Sequence, residues 1–361
     1  MRRSPDIGSL LRKDPSDKRI LIIRFSSMGD IVLTTPVIRG LNRHFPDLKV
    51  DYLVKERFRD LIAYHPGVSR VRTIPTDLPF RQLIQLRSKI QSSGEYDYLL
   101  DLHDNLRSKI LTFLSRVPYA RYNKNRFHRW LFIYWKIRTP QVEKYITNRY
   151  FETVESLGVQ DDGEGLDFYF PADFQYSSPA LQSRVEQFHG TENPLTVAPG
   201  AAWPTKIWIP DRFARTCERL ITELNADIAL LGGPGEQDLV NNLLSSVAVP
   251  RNRIHNFVGE TTLLESARIL RGARMHLAND SGLTHIATAF QTPVVVILGP
   301  TAKPTVFHPK YTRHEIVEDE DLRCRPCTHM GRKRCPLGHF RCMRNIEVED
   351  VYSACKRMLV Q

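Results

Sequence analysis

The sequence predicts an α/β protein of two doubly wound domains, each a parallel sheet with helices on both faces. Three observations carry this. The chain has 361 residues, too many for one ordinary core and enough for two α/β domains of roughly 150 to 200 residues each. Short apolar runs alternate with amphipathic stretches, which specifies parallel strands joined by crossover helices. That alternation occurs twice, with a polar, turn-rich passage between the two series.

Residues 1–18 open on Met1-Arg2-Arg3 and carry further bases, but lack the apolar core and small-residue cleavage site of a signal peptide. They are expected to form a flexible basic arm. Arg19 to Phe25 then has a buried-strand pattern, and Asp30 through Phe45 shows helical spacing of apolar residues. Val50 to Val54, Val71 to Ile74 and Tyr96 to Leu102 continue as expected strands. From about Gly158 to Ser178 the pattern loosens around Gln160-Asp161-Asp162-Gly163-Glu164-Gly165, the approach to a linker. This sets the expected domains at 19–175 and 176–361. In the second, strands are expected at Leu195 to Ala198, Ile228 to Leu231, Met275 to Ala278 and Pro293 to Leu298. Helices are expected near Asp211 to Leu224, Glu236 to Ser246, Thr262 to Gly272 and Gly282 to Phe290.

Composition narrows the function classes. A hydrophobic fraction of 42% and a charged fraction of 25% are those of a soluble globular protein. No apolar run approaches the roughly 20 residues that cross a bilayer. The formal charge of +11 points to an anionic partner: nucleic acid, a phospholipid surface or a phosphorylated substrate. Bases are dispersed instead of forming one tract, and neither an RNA-binding signature nor paired-histidine zinc-finger spacing is present, so nucleic acid is the weaker reading.

Ligands of open α/β sheets bind beyond the carboxyl ends of the strands, so the exit loops are informative. Ser26-Ser27-Met28-Gly29-Asp30 lacks the G-x-G-x-x-G fingerprint, which argues against an ordinary NAD or FAD enzyme. Pro199 through Pro210 places Lys206 in a glycine- and proline-shaped loop just before a helix. Asn279-Asp280-Ser281-Gly282-Leu283-Thr284-His285 reads as a strand end running into a helix start, where unpaired amides and the helix dipole favour an anion. An ordinary capped helix is the plain alternative for that triplet.

Four stretches in order carry a resemblance: Ile22 to Pro36, the Lys206-x-Trp208-x-Pro210 loop, Gly232-Gly233-Pro234, and Asn279 to His285. Together they resemble the ADP-heptose:lipopolysaccharide heptosyltransferases, glycosyltransferase family 9, from about residue 19 to the C-terminus. The resemblance implies the GT-B fold, two Rossmann-like domains facing a central cleft, with acceptor on the first and donor nucleotide on the second. It implies an inverting transfer of heptose from ADP-heptose to a lipopolysaccharide inner-core acceptor, with no metal or cofactor required. The family's general base falls on Asp30, whose other reading is a helix N-cap. Lys206 falls on the lysine at the donor phosphates; Asp280, Ser281, Gly282 and His285 fall on the turn that cradles them. Glu236 is placed to bind the ribose hydroxyls or merely to occupy its helix's first turn. Ala201 and Ala202 stand where certain members have paired threonines, so a different nucleotide-sugar donor stays open, as does a nucleotide-sugar epimerase on the same scaffold.

The family's acceptors are anionic, lipid-linked core oligosaccharides, which implies a cytoplasmic protein peripheral at the inner membrane; a monomer is expected. Arg107, after the strand ending at Leu102, is a candidate for an acceptor carboxylate or phosphate. Lys124 to Arg138 interleaves bases with aromatics, as an interfacial helix does; a core helix with basic caps fits equally. Cys324, Cys327, Cys335 and Cys342 lie in a basic, loop-like segment, residues 324–342, and read either as a four-thiolate site or as free structural thiols.

Overall fold

A computed structural model describes residues 18–303 and 310–360; of the expected arm, residues 1–17 lie outside the described residues. The chain divides into two compact units, Met1–Arg126 with Lys144–Pro171, and Phe127–Glu143 with Ala172–Gln361. The chain therefore enters the second unit briefly at Phe127 and returns before its final crossing after Pro171.

The first unit is built on five parallel strands: β1 (Arg19–Ile23), β2 (Lys49–Lys55), β3 (Arg70–Ile74), β4 (Tyr98–Asp101) and β5 (Tyr119–Arg121). Their order is β3-β2-β1-β4-β5, with Ile20 opposite Val50 on one side and Tyr98 on the other. Ile20, Leu21, Ile22 and Ile23 have no exposed surface, as a central strand covered on both faces requires. The helical pattern from Asp30 to Phe45 resolves into two helices, Met28–Val32 and Thr35–His44. Pro36 explains the break, because proline fits the first turn of a new helix but not the interior of a continuous one. Thr34 Oγ1 and Thr35 Oγ1 donate to the carbonyls of Ile31 and Val32 at the junction, at 2.7 and 2.8 Å.

The second unit has six parallel strands: β6 (Asn193–Ala198), β7 (Ala226–Leu230), β8 (Ile254–Asn256), β9 (Met275–Asn279), β10 (Val294–Ile297) and β11 (His314–Val317). The order β11-β10-β9-β6-β7-β8 is the Rossmann order read from its far edge. The strands absent from the sequence-based expectation, β5, β8 and β11, are all sheet edges. They are three or four residues long and half-buried to exposed, so they carry no sustained apolar run. The helix Val348–Val360 was also missing from that expectation; Val351, Tyr352, Ala354, Cys355 and Met358 bury in the second unit's main core.

In both sheets the strand order reverses beside the first strand, between β1 and β4 and between β6 and β9. Loops leaving such a pair diverge and open a crevice at the carboxyl edge. This positions the candidate residues of each unit.

Candidate active site

In the second unit, Asn279 at the end of β9 stitches the reversal together. Its buried side chain donates to the Pro199 carbonyl at 2.7 Å and accepts from the Trp208 amide at 3.1 Å, so the loops after β6 and β9 hold a fixed relation. Trp208 has no exposed surface; its indole donates to the Ile346 carbonyl at 3.2 Å and packs edge-on against Phe213. Pro210 then starts the helix Pro210–Leu224. The Lys-x-Trp-x-Pro spacing thus has a mechanical meaning: Trp208 is the anchor, Pro210 the helix start, and Lys206, ending a 3-10 turn at Pro204–Lys206, is what the loop presents.

Lys206 Nζ lies 2.5 Å from Asp280 Oδ2. Asp280 is acceptor-only when ionised, so it cannot bond an unprotonated phosphate oxygen; its carboxylate holds the ammonium, which has two further protons to offer. Next in sequence, Ser281 occupies the N-cap of the helix Gly282–Ala289 in extended conformation and makes no side-chain bond to the first-turn amides, its Oγ lying instead 3.5 Å from Thr284 Oγ1. The first amides of that helix are therefore not consumed by the cap. Thr284 Oγ1 donates to the Asn279 carbonyl at 3.3 Å, and His285 is buried in the helix's first turn. The structure thus brings Lys206, Asp280, Ser281 and Gly282 to one strand-end turn.

Glu236 reaches the same sheet edge from the β7 exit. Its Oε2 accepts from the Gly233 amide at 2.8 Å. A Cβ on Gly200 would fall 1.7 Å from Glu236 Oε1, and one on Gly232 would fall 2.5 Å from Oε2. The two glycines make the space in which the carboxylate sits. Burial raises the pKa of Glu236, opposed by the Gly233 amide.

The cysteine-rich segment braces the lysine loop. Thr205 Oγ1 donates to the Arg332 carbonyl at 2.9 Å and accepts from the Arg332 amide at 2.8 Å. Gly331, at φ +118°, lies against the Trp203 side chain where a Cβ would not fit. Arg325 fixes the segment to the β10 exit, donating to the Leu298 and Thr301 carbonyls and pairing with Glu318 at 2.6 Å. All six cysteines are free thiols. Cys324 Sγ lies 3.8 Å from His339 Nε2, yet among the described residues no group of three or more His, Cys, Asp and Glu side chains is placed to hold a metal ion. Burial, with Cys327, Cys324 and Cys335 nearby, raises Cys342 to about 12.

In the first unit, Asp30 is not the helix N-cap. Ser27 takes that position, and Asp30, third in the helix Met28–Val32, reaches back to it. Asp30 Oδ2 accepts from Ser27 N at 3.2 Å and Ser27 Oγ at 2.6 Å, and lies 2.7 Å from Arg24 Nη2. Arg24 is buried at the end of β1 and donates from Nη1 to the Leu102 carbonyl beyond β4 at 2.6 Å. One guanidinium thus spans the β1–β4 reversal and orients the carboxylate. The His103 ring lies tilted against Phe25 at 5.2 Å between centroids, and burial, helped by Arg24 and Lys124, lowers its pKa to about 2, so its imidazole is neutral. Arg107 lies in the first turn of the helix Leu106–Thr112, capped by Asn105, and donates weakly to the Thr76 carbonyl at 3.4 Å. It has company that sequence reasoning missed. Burial and then the charges of Arg57 and Arg107 lower the pKa of Lys55, at the end of β2, opposed by Asp77.

Arg24, Asn279 and Gly200 were also missed. The signal for Arg24 was an arginine directly after an otherwise apolar strand; for Asn279, a polar residue closing one.

Comparison with known proteins gives the family and the fold. The profile of glycosyltransferase family 9 (heptosyltransferase) matches residues 84–337. Lipopolysaccharide heptosyltransferase 1 of Pseudomonas aeruginosa is 26% identical, covering 86% of each chain. Among solved structures, a glycosyltransferase family 9 protein from Veillonella parvula superposes with a TM-score of 0.74 at 20% identity, over 96% of this chain and 99% of that one. Escherichia coli heptosyltransferase WaaC, solved with ADP-2-deoxy-2-fluoro heptose, gives a TM-score of 0.61 at 20% identity, over 94% of this chain and 98% of that one. With the family profile spanning most of the chain and two Rossmann-like sheets of GT-B type beneath it, the protein is a glycosyltransferase and belongs to glycosyltransferase family 9.

Proposed function

We propose that the protein transfers heptose from ADP-heptose to a lipopolysaccharide inner-core acceptor with inversion, acting at the inner face of the cytoplasmic membrane. The observation that carries this reading is the Lys206–Asp280 pair beside the uncapped start of the Gly282 helix, at the β6–β9 reversal. A fixed ammonium next to free helix amides is a seat for a diphosphate, and it strengthens as charge develops on the departing ADP. Glu236 accepts from the ribose hydroxyls. The ADP-sugar in the E. coli heptosyltransferase supports the choice of nucleotide.

The acceptor chemistry falls to the first unit. The acceptor oxygen attacks the anomeric carbon, its bond to the diphosphate breaks on the opposite side, and the hydroxyl proton passes to Asp30. Arg24 holds Asp30 in place, while Lys55, Arg57 and Arg107 meet the anionic groups of the core sugar. No step in this sequence calls on a metal ion.

A ligand that binds only the folded state raises apparent stability. In a thermal-shift panel of ADP-, UDP-, GDP- and CMP-sugars, the ADP-sugar is expected to raise the midpoint most. A larger shift with another nucleotide would reassign the donor, and no shift with any would remove the donor site.

A further inference from the structure

The helix Arg126–Trp135 leaves an aromatic strip uncovered. Phe127, Trp130, Tyr134, Trp135 and Ile137 are between 46% and 65% exposed, whereas Phe132 and Ile133 on the opposite side are buried. Phe127, Trp130 and Tyr134 follow the i, i+3, i+7 spacing of one helix face. Their rings touch in series: Phe127 stacks on Trp130 at 6.3 Å between centroids, and Trp130 meets Tyr134 at 5.9 Å and Trp135 at 6.4 Å. Side chains of this size ordinarily go inside, so a connected strip of them outside marks a binding surface.

The charges around the strip say what covers it. From Lys124 to Gln141 the sequence has five bases, Lys124, Arg126, Arg129, Lys136 and Arg138, and no Asp or Glu. Lys136 anchors the segment, its ammonium donating to the carbonyls of Ile133 and Pro326 at 2.7 Å. Arg138 stays exposed beside the strip, over the Phe132 ring and 3.6 Å from Glu143, the first acid after this run. Tryptophan and tyrosine combined with arginine and lysine, without acids, match the region where acyl chains meet anionic headgroups; a protein partner would need acids opposite and a shaped apolar core. No helix among the described residues is long and apolar enough to cross a membrane, so contact by this segment would be in the plane of the surface.

We propose that the Phe127–Ile137 strip is a docking surface for an anionic phospholipid bilayer, into whose interface Trp130 and Trp135 insert. This goes beyond the transfer reaction, and a lipid-linked acceptor supplies only its purpose. The test uses vesicles without acceptor, so its failure is distinct from failure of the transferase reading. The intact protein is expected to float with phosphatidylethanolamine vesicles containing phosphatidylglycerol, much less with phosphatidylcholine alone, and its tryptophan emission should shift to the blue as vesicles are added. Trp130→Ser with Trp135→Ser should lower partitioning by about tenfold or more, while transfer to a delipidated, water-soluble acceptor stays unchanged. Wild-type protein that neither floats nor shifts its emission overturns the proposal. So does equal flotation of the double variant, or a double variant whose only change is loss of a wild-type dimer on size exclusion, which makes the strip a contact between copies. Emission of the wild type needs no variant, so a misfolded double variant leaves the test intact.

Discussion

In the proposed function Glu236 is a carboxylate that costs stability and serves binding. Its pKa in the fold is raised above the ordinary value by burial, so the ionised form is penalised above that pKa, and the penalty is relieved as pH falls through it. Glu236→Gln removes the charge but keeps an oxygen for the Gly233 amide. At neutral pH the free protein is expected to melt at the same temperature or higher, while ADP affinity falls about tenfold because the ribose loses a charged acceptor. Titration calorimetry with ADP reads this; unchanged affinity would exclude Glu236 from the donor site. Residues of this kind were legible when their chemistry sat in a motif. Asp30, Lys206 and Asp280 stood out as charged residues in glycine- or proline-shaped loops. Arg24 and Lys55 did not, because what they do depends on chain some 50 to 80 residues away: the turn after β4 supplies the Leu102 carbonyl for Arg24, and the helix Leu106–Thr112 supplies the Arg107 charge beside Lys55. Sequence also left Asp30 between N-cap and base. The fold gives the cap to Ser27 and commits Asp30 to Arg24.

Elements carry these side chains, and the lysine loop depends on one that sequence reading treated as a metal question. The segment 324–342 grips Thr205 through the Arg332 backbone, one residue before Lys206. Thr205→Val removes both bonds, which sit partly buried, and should cost about 1–3 kcal/mol of stability. The donor KM is expected to rise several-fold with kcat changed less, since the loosened part is the proposed ground-state seat of the diphosphate. Steady-state kinetics with ADP-heptose measure it, and a normal KM would mean the brace is idle. The central strands were readable as apolar runs because both faces of each sheet are covered. Edge strands β5, β8 and β11 were not, because half-exposed strands need no such run. The join at Thr34 was hidden by apolar spacing that continues across it, although Pro36 marked the place.

At the scale of the whole molecule, two sheets of the same handed plan give the chain two strand reversals, one presenting a carboxylate and the other an ammonium beside a helix start. That doubling was visible in the sequence as a repeated alternation, and the family membership follows from residues distributed over most of the chain. The placement of Phe127–Glu143 with the second unit was not visible, because no local pattern says which core a short helix will join. The central claim is that Asp30 is the base of a heptosyl transfer whose leaving group is ADP. The most direct measurement is ADP release from ADP-heptose, with and without an inner-core acceptor, by the wild type and Asp30→Asn, alongside ADP binding by both. Wild-type release that requires acceptor, a variant at least about a hundredfold slower, and equal ADP affinity are the predicted result. A variant with near-normal turnover, or release that ignores the acceptor, would contradict it.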